Sequence, residues 1–333
     1  MQKIGVIGAT GMLGHHVAKL VQSDPDHELF VIHRKNSNLS TISDLTFQAR
    51  IADLDDKDSL ITAFEGLDYV LNCGAYYPTV PRPLKEELNI AKKQINNFVA
   101  AIKENSVKKA LYLGGAIAIP KSKTGIANED EIYTQSPKNK SAYVQVKWIM
   151  DKIAREAGAN GIPIVIGIPS MTFGEYDYGP STGRIITNTV NQTLPGYVQG
   201  DRNVVYAGDA ARGLLSACFK GKIGHRYLIT GENVSMKTLI ETIIRLENID
   251  QMPKSVSLGL AKLISKIKIT KYKFFGGELP LLDDTAIAVM SAGQFLNGDK
   301  AKEELGYTPQ TTLEQAIRRT IDWFISQNYI SKP

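Results

Sequence analysis

Cysteine is scarce in this 333-residue chain. Cys73 and Cys218 are the only two, far apart and without metal-type spacing, which argues against a disulfide framework or a metal site and leaves two buried, reduced thiols as the expectation. Long hydrophobic runs are missing as well: stretches such as 162–168 are broken by glycine and proline well short of the roughly 18 residues that a spanning helix needs. No membrane insertion is expected. Neither sign of charge dominates, since 39 Lys and Arg against 34 Asp and Glu leave +5. That small, dispersed excess argues against a nucleic-acid partner and is compatible with a small anionic ligand. The first apolar run opens at Ile4, leaving no room for the charged and apolar regions of a secretory signal, so a cytoplasmic location is expected. Internal repeats and low-complexity tracts are not evident.

What is present, 43% hydrophobic and 22% charged residues, is the composition of a globular chain of about two structural units. The first half repeats a short β-branched run, a small-residue turn and a longer amphipathic stretch, which is the rhythm of parallel βαβ units. Strands are predicted at 3–7, 29–33, 46–51, 69–73, 109–113 and 162–168, with 226–230 as a late addition. Runs such as KIGVIG are apolar at consecutive positions, as in strands covered on both faces. Crossover helices are predicted at 13–22, 58–65, 83–105 and 142–157, and a further helix at 209–219. After Pro169 the rhythm gives way to the loop TFGEYDYGPSTG and then mostly to helices. The fold class is therefore α/β, a Rossmann-type doubly wound parallel sheet with a smaller, mostly helical substrate-binding lobe. The dinucleotide-binding part is assigned to 1–170 plus about 204–230, and the second lobe to 171–203 plus about 231–333.

The first strand runs into Gly8-Ala9-Thr10-Gly11-Met12-Leu13-Gly14 and an amphipathic helix. Gly8 permits the tight turn, Gly11 clears a path for a pyrophosphate, Gly14 lets helix and strand approach, and the helix N-terminus offers free N–H groups to the anion. A fold of this kind selecting NAD carries an acid after the second strand. Here Val31-Ile32-His33 is followed by Arg34 and Lys35, whose charge suits a ribose 2′-phosphate, so NADP(H) is expected and NAD is the second choice. A merely solvated loop is the competing reading of the two cations.

Tyr143 and Lys147 lie four apart in the helical stretch SAYVQVKWIMDKI and so share a face. A phenol titrates near 10, and a neighbouring ammonium favours its ionised form, which brings it toward the range useful for proton transfer.

Together the GxxGxxG turn and the YxxxK pair resemble the extended short-chain dehydrogenase/reductases, and the resemblance covers essentially the whole chain. The runs PSTGRII, GKIGHRYLITGEN and KAKEELGYTP are most similar to NAD(P)-dependent sugar epimerases and dihydroflavonol-reductase-like proteins, especially the hopanoid-associated sugar epimerase group. The resemblance implies that Tyr143 relays a proton and that Lys147 holds the ribose and tunes Tyr143. It implies cofactor contacts at Asp53 and Leu54, at Cys73-Gly74-Ala75, and at Pro169 and Ser170 beside the nicotinamide. It also implies a homodimer through the crossover helices. A serine or threonine should follow the fifth strand, but the matching position is Gly115, with Gly114 before it. A substrate or water hydroxyl, another side chain such as Tyr76, Tyr77 or Ser141, or a loss of hydride transfer would each account for that gap. The implied activity is that of an NADP(H)-dependent oxidoreductase or epimerase acting on a nucleotide-sugar or similar hydroxy/keto compound. The alternative is a dinucleotide-binding sensor or assembly protein.

In open α/β sheets the ligand lies beyond the carboxyl ends of the strands. Gly115, Tyr76, Arg184 and Arg202 are candidate substrate contacts, with Tyr176, Tyr178 and Arg212 as further possibilities; guanidinium groups suit a diphosphate. The lysines of 258–275, beside Leu260, Leu263, Ile264 and Ile267, suit either a basic membrane-surface helix or an ordinary helix with one buried face, and the second is preferred. His15 and His16 are expected to pack near the turn. Asp55, Asp56, Asp283 and Asp284 are expected in caps and turns.

Overall fold

A computed structural model describes residues 1–74, 76–78, 82–276 and 282–331. Strands β1 (Gln2–Ile7), β2 (His27–His33), β3 (Gln48–Ile51), β4 (Tyr69–Asn72) and β5 (Lys109–Leu113) are interleaved with helices α1 (Met12–Ser23), α2 (Lys57–Phe64) and α3 (Leu84–Glu104). A short β6 (Ile126–Ala127) precedes α4 (Ala142–Ala159) and β7 (Ile164–Pro169). Then come β8 (Met171–Phe173), α5 (Arg184–Val190), β9 (Tyr197–Val198), β10 (Asp201–Tyr206), α6 (Ala207–Lys220), β11 (Arg226–Ile229) and β12 (Glu232–Ser235). The last third contains α7 (Met236–Glu247), β13 (Ser255–Val256), α8 (Leu258–Phe275), α9 (Asp284–Ala292), β14 (Phe295–Leu296), α10 (Asp299–Leu305) and α11 (Leu313–Ser326).

Seven strands form one parallel sheet in the order β11-β7-β5-β4-β1-β2-β3. They are the seven expected from sequence, with ends displaced by at most two residues. Helices α2, α3 and α4 cover one face, burying Phe64, Phe98, Ile102, Val146 and Met150 against the sheet. On the opposite face α1, α6 and α10 bury Val17, Val21, Leu214, Cys218 and Leu305. Coverage on both sides explains why β7 is buried at every position and reads as a continuous apolar run.

A third core joins Phe173, Ile186, Leu239, Ile243, Ile317, Ile321 and Phe324. Its small sheet, β12-β10-β8, has no clear sequence signal, because its strands are three to six residues long and polar at several positions. Since α10 packs on the central sheet beside α1 and α6, the two-lobe division remains a proposal in which this helix joins the dinucleotide-binding part.

Helix α8 keeps one buried and one solvated face, as preferred, but the buried face is not the one lined by its larger apolar residues. Ala261 and Ser265 are its buried residues, whereas Leu260, Leu263 and Ile267 point outward. Periodicity alone did not indicate which apolar stripe meets the protein.

Between β1 and β4 the direction of winding reverses, and the turns that follow them touch there. Gly8 has φ +81°, and a Cβ on it would lie 2.7 Å from the Gly74 amide nitrogen. A Cβ on Gly14 would overlap the Gly8 carbonyl, so α1 sits against β1 only because that atom is missing. Gly11 differs, since the nearest atom to its added Cβ is the Gly8 carbonyl oxygen at 3.5 Å, an ordinary contact. Gly14→Ala should therefore destabilise the chain by about 1–3 kcal/mol, as overpacking does. Gly11→Ala should stay within about 1 kcal/mol of wild type. Urea denaturation of both variants checks the contrast, and equal losses would contradict it.

Candidate functional site

The amino end of α1 opens onto the β1–β4 crevice. Its cap, Gly11, has φ −97° and ψ 161° and supplies no side-chain bond, and the first turn carries no acid. The N–H groups and the positive end of the helix dipole are thus left to an anion. Thr10, Met12 and Leu13 are partly buried around this turn. Gly11 is the one of the three glycines whose missing Cβ the protein itself does not require, and a ligand approaching the backbone would account for it. At the end of β7, beyond Pro169, the Ser170 Oγ is buried with no protein partner. These features fit a dinucleotide laid across the crevice.

The expected cofactor contacts gather along this edge. Cys73 follows β4, donates its amide to the Ile7 carbonyl, and has its thiol pushed up to about 12 by burial. The Gly74 amide donates to the Asn72 side chain at 3.1 Å. Ala75 lies outside the described residues. Arg34 is exposed directly after β2, and its guanidinium makes no hydrogen bond or ion pair among the described residues; its amide donates to the Ser37 Oγ. Asp53 follows β3, where one carboxylate oxygen accepts from the Asp55 amide, and the Leu54 carbonyl accepts from Asn97.

Tyr143 is the second residue of α4, and Lys147 follows one turn later at 7% exposure. The helix start is strapped by Gln145, whose amide donates to the Pro137 and Asn139 carbonyls and accepts from Ser136. Burial moves both groups toward their neutral forms. The Tyr143 phenol is pushed well above its ordinary value by burial and by the neighbouring Tyr77, while burial brings Lys147 down to about 8. Activation of Tyr143 would have to overcome that burial.

Gly115 faces this pair. An added Cβ would touch the Lys147 Cγ and Cδ at 3.5 Å, and φ −134°, ψ 135° suits any residue. The space for a serine exists and is left open. Of the side chains weighed as substitutes, Tyr76 turns away and donates its hydroxyl to Glu87 at 2.5 Å. Ser141 keeps a buried Oγ without a partner. Tyr77 packs on Tyr143, with ring centroids 4.7 Å apart. Burial and Asp283 raise the Tyr77 phenol, while Arg184 opposes them, so residues from α5 and from the start of α9 act on the site. Asp283 caps α9 by accepting from the Ala286 amide at 2.7 Å, and burial raises its carboxyl. Sequence reasoning placed Asp283 only in a cap or turn and did not single out Gln145; neither carries a local signal for the site.

Arg202, on β10, is 6% exposed. It donates to the Asp201 carbonyl and has no carboxylate within ion-pair distance among the described residues. Gly293, at the other end of α9, makes room for it, since a Cβ there would overlap the guanidinium. Tyr176, Tyr178 and Arg212 are engaged elsewhere. Tyr176 stacks on His15 at 3.6 Å, the Tyr178 hydroxyl donates to the Thr41 carbonyl, and Arg212 pairs with Asp209.

A sheet of this order, crossed at its switch point by a glycine cradle and flanked by a Tyr–Lys pair one helical turn apart, is that of an extended short-chain dehydrogenase/reductase. Residues 4–230 match the NAD dependent epimerase/dehydratase family, and the chain belongs to it. A nucleoside-diphosphate-sugar epimerase from Pseudomonas aeruginosa is 38% identical, with a TM-score of 0.85 over 99% of both chains. A protein from Synechocystis sp. that carries the provisional name dihydroflavonol 4-reductase is 25% identical over 98% of this chain and 95% of its own. An Arabidopsis thaliana 3beta-hydroxysteroid-dehydrogenase/decarboxylase, isoform 1, is 25% identical over 82% of this chain and 66% of its own.

The buried lysine yields a pH-dependent prediction. Below pH 8 Lys147 is protonated in both folded and unfolded chains, and its burial costs the folded state on the order of 3 kcal/mol. Between about 8 and 10.5 the folded chain releases the proton first and that cost fades. Lys147→Met without added cofactor should therefore raise the melting temperature at neutral pH, with the gain vanishing as pH approaches 10.5. Melting curves across this range check it, and a gain independent of pH would contradict it.

Proposed function

We propose that this protein is an NADP(H)-dependent oxidoreductase or epimerase acting on a nucleotide-sugar, with Tyr143 and Lys147 as its catalytic pair. The observation that carries the reading is the half-buried Tyr143 one turn from buried Lys147, with open space at Gly115, beside the crevice whose glycine cradle suits a dinucleotide. When bound, nicotinamide supplies hydride transfer at C4 of its ring. Tyr143 moves a proton to or from the substrate oxygen, and the Lys147 ammonium holds the ribose and makes the phenolate less costly. Tyr77 packs over Tyr143 and covers that side of its ring.

Nucleotide-sugar specificity is supported by the Pseudomonas aeruginosa likeness and by Arg202, a buried guanidinium without a carboxylate and therefore suited to a diphosphate. Helix α9 joins the two regions, with Asp283 near Tyr77 at one end and Gly293 against Arg202 at the other. Its nine residues span about 13 Å, a separation that suits a sugar at Tyr143 and its diphosphate at Arg202. Arg184 would supply a second cation. The unengaged Arg34 supports preference for a 2′-phosphate, with NAD as second choice. A homodimer through the crossover helices and a cytoplasmic location belong to the same proposal; no described helix is long and apolar enough to cross a membrane. The competing sensor reading rests on the absent hydroxyl at Gly115.

Product chromatography after incubation with UDP- and dTDP-sugars tests the reaction. Tyr143→Phe should lower turnover by about 10²-fold or more with cofactor affinity nearly unchanged, and unaltered turnover would remove Tyr143 from the chemistry. Gly115→Ser should fold normally and raise a rate limited by a missing donor; turnover confined to this variant would favour the sensor reading. Arg34→Ala should reduce the preference for NADP(H) over NAD(H) by about tenfold or more. Equal weakening of both cofactors in titrations would contradict the assignment.

A further inference from the structure

Helix α8 has two apolar sides. Ala261 and Ser265 face the protein, while Leu260, Leu263, Ile267 and Phe274 recur at spacings of three, four and seven along the outer surface. Their exposure is high: 55% at Leu263, 61% at Ile267 and 80% at Phe274, with neighbouring Phe275 at 83%. No described segment covers this stripe.

The charges beside it have one sign. Lys262, Lys266, Lys268, Lys271 and Lys273 lie within 258–276, which contains no Asp or Glu. Lys262, Lys266 and Lys268 are exposed and form no ion pair among the described residues. At 100° per residue, Lys262 and Lys266 fall on one side of the stripe and Lys268 on the other, with Lys271 at the edge nearer Lys268. An apolar strip edged by unpaired lysines is the pattern of a helix lying in the headgroup layer of an anionic bilayer.

We infer that α8 docks this protein on an anionic phospholipid surface, with Leu263, Ile267 and Phe274 entering the acyl boundary and the flanking lysines meeting lipid phosphates. A second copy of the chain fits less well, since twofold pairing of the stripe would bring lysines against lysines with no acid on the helix to offset them. Helix α8 packs on α9, whose cap residue Asp283 acts on Tyr77. Docking would thus place the α9 side of the candidate site toward the bilayer.

Co-sedimentation of the full chain with vesicles of phosphatidylcholine, alone or mixed with phosphatidylglycerol, tests the inference. Binding to the anionic vesicles alone, reduced by high salt, is expected. Leu263→Glu/Ile267→Glu and Lys266→Glu/Lys268→Glu should each weaken it by about tenfold or more, with circular dichroism and melting temperature unchanged because these side chains are exposed. Should the glutamate variants misfold, Leu263→Ser/Ile267→Ser is expected to show the same loss. Equal sedimentation with neutral and anionic vesicles, or undiminished binding by the folded variants, would overturn the inference. So would a wild type that ignores vesicles but forms an oligomer that Leu263→Glu/Ile267→Glu disperses, since the stripe would then be a contact between chains.

Discussion

Two backbones that touch with no side chain between them set the geometry of the crevice. The turn after β1 reaches the turn after β4 because Gly8 carries no Cβ, and α1 closes on β1 because Gly14 carries none. A methyl group at either place would force the turns apart and move the amino end of α1 away from the crevice. The same close approach fixes where the chain leaves β4, and there the direction of one residue matters. Successive side chains diverge, so Tyr76 turns toward α3 and Glu87 while its neighbour reaches α4 and Tyr143. The aromatic beside the candidate proton-transfer group is thus chosen by the register of a loop whose origin two glycines determine.

The Tyr143–Lys147 pair is held under tension by desolvation. Burial favours the neutral phenol at Tyr143 and disfavours the ammonium at Lys147, so neither charged form is stabilised by burial. Such a site is a local cost to folding, and it is retained because α4 is anchored on other grounds, through the Gln145 strap and the packing of Val146 and Met150. Charge on Lys147 becomes favourable once hydroxyl or phosphate oxygens enter beside it. Ligand binding and activation of the pair are in this way parts of one electrostatic change.

Much of the first lobe was legible because its physics is local. Strands covered on both faces must be apolar at consecutive positions, crossover helices must be amphipathic, and a turn near a phosphate must be glycine-rich; each leaves a continuous mark in sequence. The second lobe leaves fewer marks. Its sheet is built from short, partly polar strands that pair β10 with β8 and β12, and no residue in them announces the pairing. The influence of Asp283 on Tyr77 joins positions roughly two hundred apart, and Gly293 makes room for Arg202 from about ninety positions away. Contacts of that kind arise from packing, and an isolated sequence does not encode them at either partner.

The identity of the buried face of α8 was hidden for a related reason, with a different consequence. Helical periodicity shows that apolar residues share a face, but not whether that face meets the protein or the outside. Here a narrow inner face of Ala261 and Ser265 suffices for attachment, because small side chains allow close approach to the neighbouring structure. The larger residues are then free to face outward. A helix serving only the core would be expected to reverse this allocation, burying leucine, isoleucine and phenylalanine and exposing alanine and serine. Exposed bulk on one side, with lysine and no acid along its flanks, therefore carries information that the amphipathic pattern alone does not: the sequence of α8 suits a second surface better than water.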